Sequence, residues 1–407
     1  MAGFAPLAGE RVAVVGLGRA GLPAARALRR YGAAVRAWDD SPAARRDAEA
    51  AGITLDPLAS LDGLDALLLS PGIAHRLPAP HPIAARAVEA GVPILCDVEF
   101  LFRVVRAAHS GARFVGITGT NGKSTTTSLL AHLLSHAGTE VAAGGNLGPA
   151  ALDLNILGSE GVYTLEMSSY MLERLATVRF DAAAMLNLSA DHLDRHGDMA
   201  GYVAAKRRIF DRQDAGCVAV LGQDDAFTRD SAGGIAARVV PISATRACPG
   251  GVWAEGSVLR DDAGPVLDLG LAPALPGAHN AENAAAATAL ALAMGADRGA
   301  IAAALKTYPG LPHRQERVRA KDGVLYVNDS KATNADSAAR ALACYRGIHW
   351  IAGGIGKAGG IEALAPFFDR IVHAWLIGRD AGTFAETLAA HDVAHTRCDE
   401  LGTAVAR

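Results

Sequence analysis

The sequence predicts an α/β protein in three parts, each built on a mostly parallel sheet. Short apolar strands alternate with amphipathic helices along almost the whole chain of 407 residues, which is typical of parallel sheets. Two glycine-rich turns, at 16–21 and 116–122, each follow a strand and precede a helix, the arrangement in which backbone N–H groups bind phosphates. A chain of this length suffices for two or three domains.

The composition excludes several classes of protein. With 50% hydrophobic residues and a net charge of −3, and without a basic run, the chain gives no sign of a nucleic-acid or anionic-membrane partner. The five cysteines are far apart and form no CxxC pair, so neither a disulfide framework nor a zinc site is supported. The N-terminus does not resemble a signal peptide, and no apolar run reaches the roughly 18 residues of a membrane span. A cytoplasmic location without membrane insertion is predicted.

The first glycine turn belongs to a predicted Rossmann-like domain. The strand "RVAVV" leads into "GLGRAG", a helix follows, and "AAVRAWDD" forms the second strand. Gly16, Gly18 and Gly21 match the dinucleotide fingerprint, with Asp39 after the second strand as a ribose ligand. The turn alone leaves a nicotinamide or flavin cofactor, another nucleotide, or a plain structural turn open. Further strands are predicted at 64–69 and 92–95.

Two polar segments mark the predicted domain boundaries. "RAAHSGAR" at 106–113 separates the first two parts, and "TYPGLPHRQERV" at 307–318, with two prolines and a glycine, separates the last two. The predicted domains are therefore 1–110, 111–310 and 311–407.

The second and third parts repeat the alternation of strand and helix. Strands of the second part are predicted at 113–118, 161–166, 181–187, 217–221 and 237–241. The punctuated segment 251–275 indicates a small β excursion, and the alanine-rich 280–295 a helix ended by Gly295. The third part alternates again from "VLYVND" to "AGTFAETLAAH".

The second glycine turn, in "FVGITGTNGKSTTTSLLAHLLSHAG", predicts a triphosphate site. Its glycines let the backbone approach an anion closely, and the following helix presents its N–H groups and partial positive charge to phosphate oxygens. Lys123 can reach the terminal phosphates, and the hydroxyl of Ser124 or Thr125 can bind Mg²⁺. The loop is a variant, because Ile117 stands where the strict P-loop pattern has glycine.

Polar residues after two further strands could complete a metal site. Glu166 ends the strand in "YTLEMSSYML", and an acid at the carboxyl edge of a parallel sheet is well placed beside phosphates. "DHLDRHG" places Asp191, His192, Asp194 and His196 after another strand. Alone this cluster is better explained as a solvated loop, but beside a triphosphate Mg²⁺ takes oxygen ligands and tolerates an imidazole.

Taken in order, these motifs resemble the Mur ligases of peptidoglycan synthesis. The resemblance rests on "TGTNGKST", "LEMSSY", "DHLDRHG", "AAKRRIF", "GAHNAENAAAA", "GLPHRQE" and "NDSKATN". "NDSKATN" is typical of the glutamate-adding member, and Asn121 stands where the alanine-adding member usually has histidine. The resemblance covers about 11–400 and is sharpest from 114 to 357.

The resemblance implies a Rossmann-like N-terminal domain that binds the UDP part of the substrate, a central P-loop-type ATPase domain with a parallel sheet, and a C-terminal Rossmann-like α/β domain that brings the amino acid. It implies an ATP-dependent ligase that adds D-glutamate to UDP-N-acetylmuramoyl-L-alanine through an acyl phosphate. A monomer with small-molecule substrates is expected.

The family's site residues carry over by matching motif. For ATP they are Gly119, Thr120, Asn121, Gly122, Lys123, Ser124, Thr125, Thr126, Asn280, Arg314 and Asp329. For the UDP-substrate they are Leu17, Asp39, Ser70, Gly72 and Asn146. For the amino acid or the reacting carboxylates they are His313, Lys331, Thr333 and Lys357.

The resemblance also implies two Mg²⁺ ions and a modified lysine. Ser124 and Glu166 would hold one ion and His192 the second, while Lys123 would steady the charge that develops on the γ-phosphate. Lys206 matches the position that the family carries as a carbamylated lysine, which adds a carboxylate-like metal ligand. The catalytic residues implied are Lys123, His192 and Lys206.

The chain departs from the family pattern at its C-terminal end. The family's third domain continues with a further strand and a segment that binds glutamate, whereas this sequence stops at Arg407 in a predicted helix. We therefore expect the third domain to be incomplete, which leaves D- versus L-glutamate specificity and the activity of the chain open.

Three other functions compete with this interpretation. A folate-polyglutamate-type ligase shares the ATP loop and the modified lysine but has no UDP-binding domain of this kind. A nucleotide-binding chain inactive through loss of its C-terminus also agrees with the motifs. A NAD-dependent dehydrogenase explains residues 11–40 and nothing after 113.

Overall fold

The computed structural model describes residues 4–356 and 359–407, and the chain forms two compact units. The first comprises Met1–Ala272 with Asn280–Tyr308, and the second Pro273–His279 with Pro309–Arg407. The division after Tyr308 falls inside the predicted boundary segment 307–318. The first two predicted domains lie together in the first unit, as two separate sheets.

The first sheet is the predicted βαβ arrangement, with four parallel strands in the order β2-β1-β3-β4. Its strands are β1 (Arg11–Val15), β2 (Ala34–Trp38), β3 (Ala66–Leu69) and β4 (Ile94–Leu95). Its helices are α1 (Gly21–Arg30), α2 (Pro42–Ala50), α3 (Pro82–Glu89) and α4 (Asp97–Ala107). Helices α2 and α3 each begin with proline at the first helical position, which suits a residue without an N–H group.

The central strand β1 is buried on both faces, as expected for a parallel sheet covered by helices. Val12 and Val14 point to one core, and Val15 packs with Leu69 and Ile83 in a second cluster on the opposite face. Because side chains alternate along the strand, its four consecutive apolar residues, 12–15, contribute to two hydrophobic layers.

The second sheet has nine strands in the order β13-β12-β11-β10-β9-β8-β5-β7-β6. They are β5 (Arg113–Thr118), β6 (Val141–Gly145), β7 (Val162–Glu166), β8 (Ala182–Met185), β9 (Val218–Gly222), β10 (Arg238–Ser243), β11 (Val252–Glu255), β12 (Val258–Asp261) and β13 (Gly264–Asp268). Pairing is parallel from β6 to β11 and antiparallel from β11 to β13. The predicted β excursion is thus a meander added to the edge of a parallel sheet.

Helices connect these strands and cover the second sheet. They are α5 (Lys123–His136), α6 (Ser169–Leu172), α7 (Leu193–His196), α8 (Met199–Arg207), α9 (Ala226–Asp230), α10 (Ala278–Ala293) and α11 (Arg298–Thr307). Short 3-10 helices occur at Ala151–Asp153, Arg208–Phe210 and Leu269–Leu271. The alanine-rich α10 is buried along most of its length, which its small side chains permit.

One hydrophobic core extends through both sheets of the first unit. The ring of Phe114 on β5 lies 5.1 Å from that of Phe102 on α4 and 4.7 Å from that of Tyr163 on β7. Helix α4 therefore packs between the two sheets and fixes their relative position, since closely packed cores resist deformation.

The second unit contains a hairpin and a three-stranded parallel sheet. The hairpin joins β14 (Glu316–Lys321) to β15 (Val324–Asn328), and the sheet has the order β16 (Ile348–Gly353), β17 (Ile371–Ile377), β18 (His395–Arg397). Its helices are α12 (Ala335–Leu342), α13 (Ala381–Ala390) and α14 (Leu401–Ala406), with a 3-10 helix at Glu362–Arg370. The predicted alternation of strand and helix is confirmed, whereas β14 begins inside the segment predicted as a linker.

The described residues contain no helix that is both long enough and apolar enough to cross a membrane. The predicted incompleteness of the third domain stays a prediction.

Candidate nucleotide, metal and substrate sites

The second glycine turn joins β5 to α5, as the sequence predicts. Gly119 and Gly122 have φ angles of +148° and +85°, which side-chain-bearing residues rarely adopt. A Cβ on Gly122 would also collide with Oδ1 of Asn283 on α10. The loop therefore needs glycine here for its backbone conformation and for the close approach of α10.

Asn187, which the sequence analysis missed, holds the loop in place. Its backbone carbonyl accepts from the N–H of Thr120 at 2.7 Å, and its side-chain Oδ1 accepts from the N–H of Asn121 at 2.9 Å. Its Nδ2 donates to Oε2 of Glu282 at 2.7 Å. Because β8 lies beside β5, the residues just after β8 reach this loop, and "LNLSADH" at a strand end was the available signal.

The predicted ATP residues of the first unit surround this loop. Lys123 donates through Nζ to the carbonyls of Gly119 at 3.0 Å and Thr120 at 2.7 Å, so its ammonium group lies over its own loop. The side chain of Asn283 connects α10 to α5: its Nδ2 donates to Oδ1 of Asn280 at 3.0 Å, and its Oδ1 accepts from Oγ1 of Thr126 at 3.2 Å. The helix start and α10 thus form one polar wall.

Lys206 lies on the strand side of the same loop and is almost completely buried, at 2% exposure. Its Nζ donates to the carbonyl of Gly119 at 2.8 Å and to Oγ1 of Thr118 at 3.3 Å. Burial, helped by the positive charge of Lys123, lowers the pKa of Lys206 well below its ordinary value. The neutral amine, which is the form that reacts with CO₂, is therefore more accessible here than in an exposed lysine.

Glu166 supplies a buried carboxylate whose two oxygens differ in their hydrogen bonding. It pairs with Ile117 in the register of β5 and β7, which places it beside the start of the loop. Its Oε1 accepts from Nδ2 of Asn146 at 2.7 Å, and within the described residues its buried Oε2 has no hydrogen-bond partner. An unpaired buried carboxylate oxygen is costly unless a cation meets it, so the donor set fits Mg²⁺, which prefers oxygen ligands.

His192 completes the predicted metal residues. It adopts a left-handed backbone conformation with φ of +53° and precedes α7. Burial lowers its pKa, and the charges of Lys206 and Lys123 lower it further, against the opposing charge of Asp191. The neutral imidazole that can ligate a metal is favoured. Across residues 4–356 and 359–407, no three His, Cys, Asp or Glu side chains gather as a metal site.

The first glycine turn borders a separate pocket of about 470 Å³. Asp39, Ser70 and Gly72 line it, as predicted, and Arg19, Asp40 and His81 line it without having been predicted. Leu17 does not line the pocket. Its side chain is buried in the core, and its N–H donates to Oδ2 of Asp39 at 2.6 Å. Asn146 does not line the pocket; it contacts Glu166 instead.

The pocket wall is built from tight backbone contacts. Oγ of Ser70 donates to the carbonyl of Gly16 at 2.7 Å, and a Cβ on Gly16 would collide with Ser70 and Ile73. The glycine of the fingerprint is therefore required by the approach of β3's carboxyl end. His81 accepts from the N–H of Ile83 through Nδ1 and contacts Oδ2 of Asp40 through Nε2 at 3.1 Å, which assigns the proton to Nε2.

The remaining predicted residues lie in the second unit. The N–H of Lys331 donates to the carbonyl of His313 at 3.1 Å, and the N–H of Thr333 donates to the carbonyl of Lys331 at 2.9 Å. Asp329 accepts from the N–H of Gln315 at 3.0 Å, and burial raises its pKa, against the charge of neighbouring Arg314. Lys357 lies outside the described residues.

A phosphate loop with a buried lysine and carboxylate, together with a pocket at the other glycine turn of the same unit, fits an ATP-dependent ligase, and similar proteins give its family. The Mur ligase middle domain matches residues 117–291, and the chain belongs to the Mur ligase family. Its curated relatives include UDP-N-acetylmuramoylalanine–D-glutamate ligases, for example that of Paramagnetospirillum magneticum, 51% identical over 98% of this chain and 88% of the relative. That of Rhodospirillum rubrum is 46% identical over 95% and 84%.

Solved structures support the fold. The UDP-N-acetylmuramate–alanine ligase of Thermotoga maritima superposes with a TM-score of 0.62 at 19% identity, over 96% of this chain and 91% of that one. A Mur ligase from Acinetobacter baumannii, MurF, gives 0.60 at 21% identity over 77% and 74%. The α/β fold class is confirmed.

Proposed function

We propose that this protein is the ligase that joins D-glutamate to UDP-N-acetylmuramoyl-L-alanine, with ATP and Mg²⁺, in cytoplasmic peptidoglycan precursor synthesis. The relatives that span nearly the whole chain carry this activity in their names. The structural observation that carries the proposal is the phosphate loop, bordered by Lys206 and Glu166, in the same unit as a second nucleotide-sized pocket at the first glycine turn.

The chemistry has two steps. The substrate carboxylate attacks the γ-phosphorus of ATP, which gives an acyl phosphate and releases ADP. The amine of glutamate then attacks the acyl carbon, loses a proton and expels inorganic phosphate, so that an amide remains. A bare carboxylate is a poor acyl donor, and phosphorylation supplies the leaving group. The protein contributes positioning and charge neutralisation.

Lys123 is the residue that we propose for the γ-phosphate. Its ammonium group now binds two carbonyls of its own loop. Phosphate oxygens carry more negative charge than carbonyls, and their charge grows during transfer, so a lysine at this position stabilises the transition state more than the ground state.

Ser124, Glu166 and His192 are the residues that would hold magnesium, and we propose two ions. Mg²⁺ supplies charge neutralisation on the transferring phosphoryl group. The supporting observation is the partnerless Oε2 of Glu166, whose other oxygen is held by Asn146. We propose that Asn146 orients this carboxylate in addition to contacting the muramoyl part.

Carbamylation of Lys206 follows from the same reasoning. Its neutral amine would attack CO₂, form an N–C bond and release a proton, which turns a buried neutral amine into an anion beside Lys123. The carbamate anion would be attracted to the ammonium group of Lys123, and it would add an oxygen donor for magnesium.

The substrate residues complete the proposal. Asp39, Ser70 and Gly72, with the backbone near Leu17, would bind the uridine diphosphate. Asn280 is proposed as a nucleotide ligand, and so are Arg314 and Asp329, with Asp329 on the ribose. His313, Lys331, Thr333 and Lys357 would bind glutamate or the reacting carboxylates. We propose a monomer divided into the three domains predicted from the sequence.

Phosphate release measured in a matrix of substrates tests the proposal. We expect release only when ATP, Mg²⁺, UDP-N-acetylmuramoyl-L-alanine and D-glutamate are all present, and no release with L-glutamate. UDP-N-acetylmuramate without alanine is the matched control. Release that does not depend on the muramoyl substrate would refute the proposed ligase, and release with a folate substrate would favour the competing family.

A further inference from the structure

The turn that follows β3 forms one wall of the UDP pocket, and its carbonyl groups lie beyond the paired part of the strand. Ser70, Gly72 and Ile73 all line the pocket. Backbone carbonyls that leave a strand need new donors. In this chain two guanidinium groups from the second sheet's connections provide them.

Arg174 provides the first set. Its Nη1 donates to the carbonyls of Leu69 at 2.7 Å and Ser70 at 3.0 Å, and its Nη2 donates to the carbonyl of Ile73 at 2.6 Å. Arg195 provides the second set, to the carbonyls of Gly72 and Ile73, both at 3.2 Å. The two arginines therefore meet at the same carbonyl.

Filling this space with the charged side chain of Arg174 has a high cost in free energy. This side chain is 2% exposed, its Nε has no partner within the described residues, and burial lowers its pKa to about 10. It stays charged at neutral pH, and burying a charge costs more than burying an apolar side chain of similar volume. An apolar side chain, however, could not fix the directions of three carbonyls.

Both arginines are close in sequence to the residues proposed to bind magnesium. Arg174 lies just after helix α6, which begins three residues after Glu166. Arg195 lies in helix α7, which begins directly after His192. The guanidinium of Arg195 also lies 4.3 Å from the ring centre of Tyr170 on α6.

Helices α6 and α7 are bound to each other. The imidazole of His196 stacks on the ring of Tyr170 at 5.5 Å, its Nε2 lies 2.9 Å from Oγ of Ser169, and its Nδ1 lies 3.6 Å from Oε1 of Glu173. The two helices thus form one block that carries a guanidinium on each part and is continuous with His192.

We propose that Arg174 and Arg195 are positioning residues that couple the UDP pocket to the loop bearing His192. The turn at Ser70–Ile73 cannot move without moving the block of α6 and α7. A ligand that orders the turn would therefore also order the metal loop. This inference rests on the proposed function for the identity of the two ligands, and it assigns a role that the motifs do not contain.

Coupling of this kind is reciprocal. If UDP tightens the binding of Mg²⁺ and an ATP analogue by some factor, then the analogue with Mg²⁺ must tighten UDP by the same factor. The factor is a property of the connection, so it changes when the connection is cut, even where each ligand still binds. A residue that only stabilises the fold would not change it.

Calorimetric titration of the full chain measures this factor. UDP is titrated with and without Mg²⁺ and a non-hydrolysable ATP analogue, and the analogue with and without UDP. For the unaltered chain we expect a factor of about fivefold or more. For Arg195→Ala we expect it to fall to about one, while UDP and the analogue each still bind alone.

Two further variants separate positioning from folding. Arg179→Ala removes a surface arginine of the same unit that pairs with Asp214 at 2.6 Å, and it should keep the factor. Arg195→Lys, with fewer donors in a different geometry, should keep only part of it. Arg174→Met fills the same space without donors and should lose it, provided that its thermal unfolding remains cooperative.

The outcomes are distinct. A factor that is unchanged in Arg195→Ala, or absent from the unaltered chain, overturns the inference. A normal factor in a chain that releases no phosphate with the full substrate set would refute the proposed function and leave the coupling standing, because UDP and the analogue bind without ligation.

Discussion

Lys206 is a buried lysine whose pKa burial lowers, and this makes it the most informative single residue. It is 2% exposed and its pKa is lowered, first by burial and then by Lys123. We expect Lys206→Ala to lower kcat by about tenfold to a hundredfold or more, as for the loss of a group that supports a metal. Added bicarbonate should not restore the activity, because no amine remains to react.

The measurement is initial-rate phosphate release at saturating substrates, with Lys306→Ala as the matched control. Lys306 is an exposed lysine in the last turn of α11, and its variant should keep normal turnover. Normal turnover in Lys206→Ala would remove this residue from the mechanism.

Glu166 tests the metal site directly. Its Oε2 is buried without a partner in the described part of the chain, while Asn146 holds Oε1. We expect Glu166→Gln to raise the Mg²⁺ concentration for half-maximal activity by about tenfold or more, because an amide is a weaker ligand than a carboxylate. The exposed Glu160→Gln should leave the Mg²⁺ curve unchanged, and identical curves for both variants would argue against a metal role.

Helix α4 carries two buried acids whose pKa values shift in opposite directions. The fully buried Glu99 accepts from the N–H groups of Ala176 and Thr177. Burial alone would raise its pKa, but these bonds and the Thr177 hydroxyl outweigh burial and lower it. Asp97 accepts from the N–H of Ala151, and there burial prevails and raises the pKa.

The sign of each contribution follows from linkage. The stabilisation from Glu99 is present above its unfolded pKa of about 4.3 and is lost as the pH falls through its lower folded pKa. The contribution of Asp97 is the reverse, since a raised folded pKa stabilises at low pH and is lost as the pH rises through it. Glu99→Gln should therefore lower the free energy of unfolding at neutral pH. It should also make that free energy fall less steeply as the pH is lowered.

Urea unfolding at a series of pH values measures this dependence, with Asp97→Asn as the comparison. The asparagine retains an oxygen for Ala151 without the cost of a buried charge, so we expect no loss of stability near neutral pH. A Glu99→Gln chain with the same slope of unfolding free energy against pH as the unaltered chain would contradict this account.

Most strands and helices could be predicted because their signals are local. The run "RVAVV" predicts a strand that the structure places at Arg11–Val15, and the glycine turn with Lys123 predicts the start of α5. Strand β6 was missed, since "VAAGG" has little β-branched character and is a strand only because β7 pairs with it. Asn187 was missed for a similar reason: its contacts depend on which strands are neighbours.

At the scale of the whole chain, the predicted boundary segment 106–113 joins the end of α4 to the start of β5, and both elements pack on one hydrophobic core. The polar residues there signal exposed backbone, and exposure says nothing about the side chains on either side. Phe102 and Phe114 flank this segment and their rings touch across it. The fully buried Phe114 contributes about 1.5–3 kcal/mol, and the partly buried Phe102 packs against the same core, so the two sheets gain stability from each other.

A shared core predicts that a ligand of the first sheet stabilises the second. If UDP binds in the pocket at Asp39 and Ser70, as we propose, it stabilises the folded unit by mass action, by about 2.7 kcal/mol at a hundred times its dissociation constant. If the unit unfolds cooperatively, hydrogen exchange should slow in β5 and β7 as well as in β1, although UDP contacts neither of the former. Hydrogen-exchange mass spectrometry with and without saturating UDP measures this. NAD at the same concentration should protect none of these strands, and protection confined to residues before 108 would mean that the two sheets unfold independently.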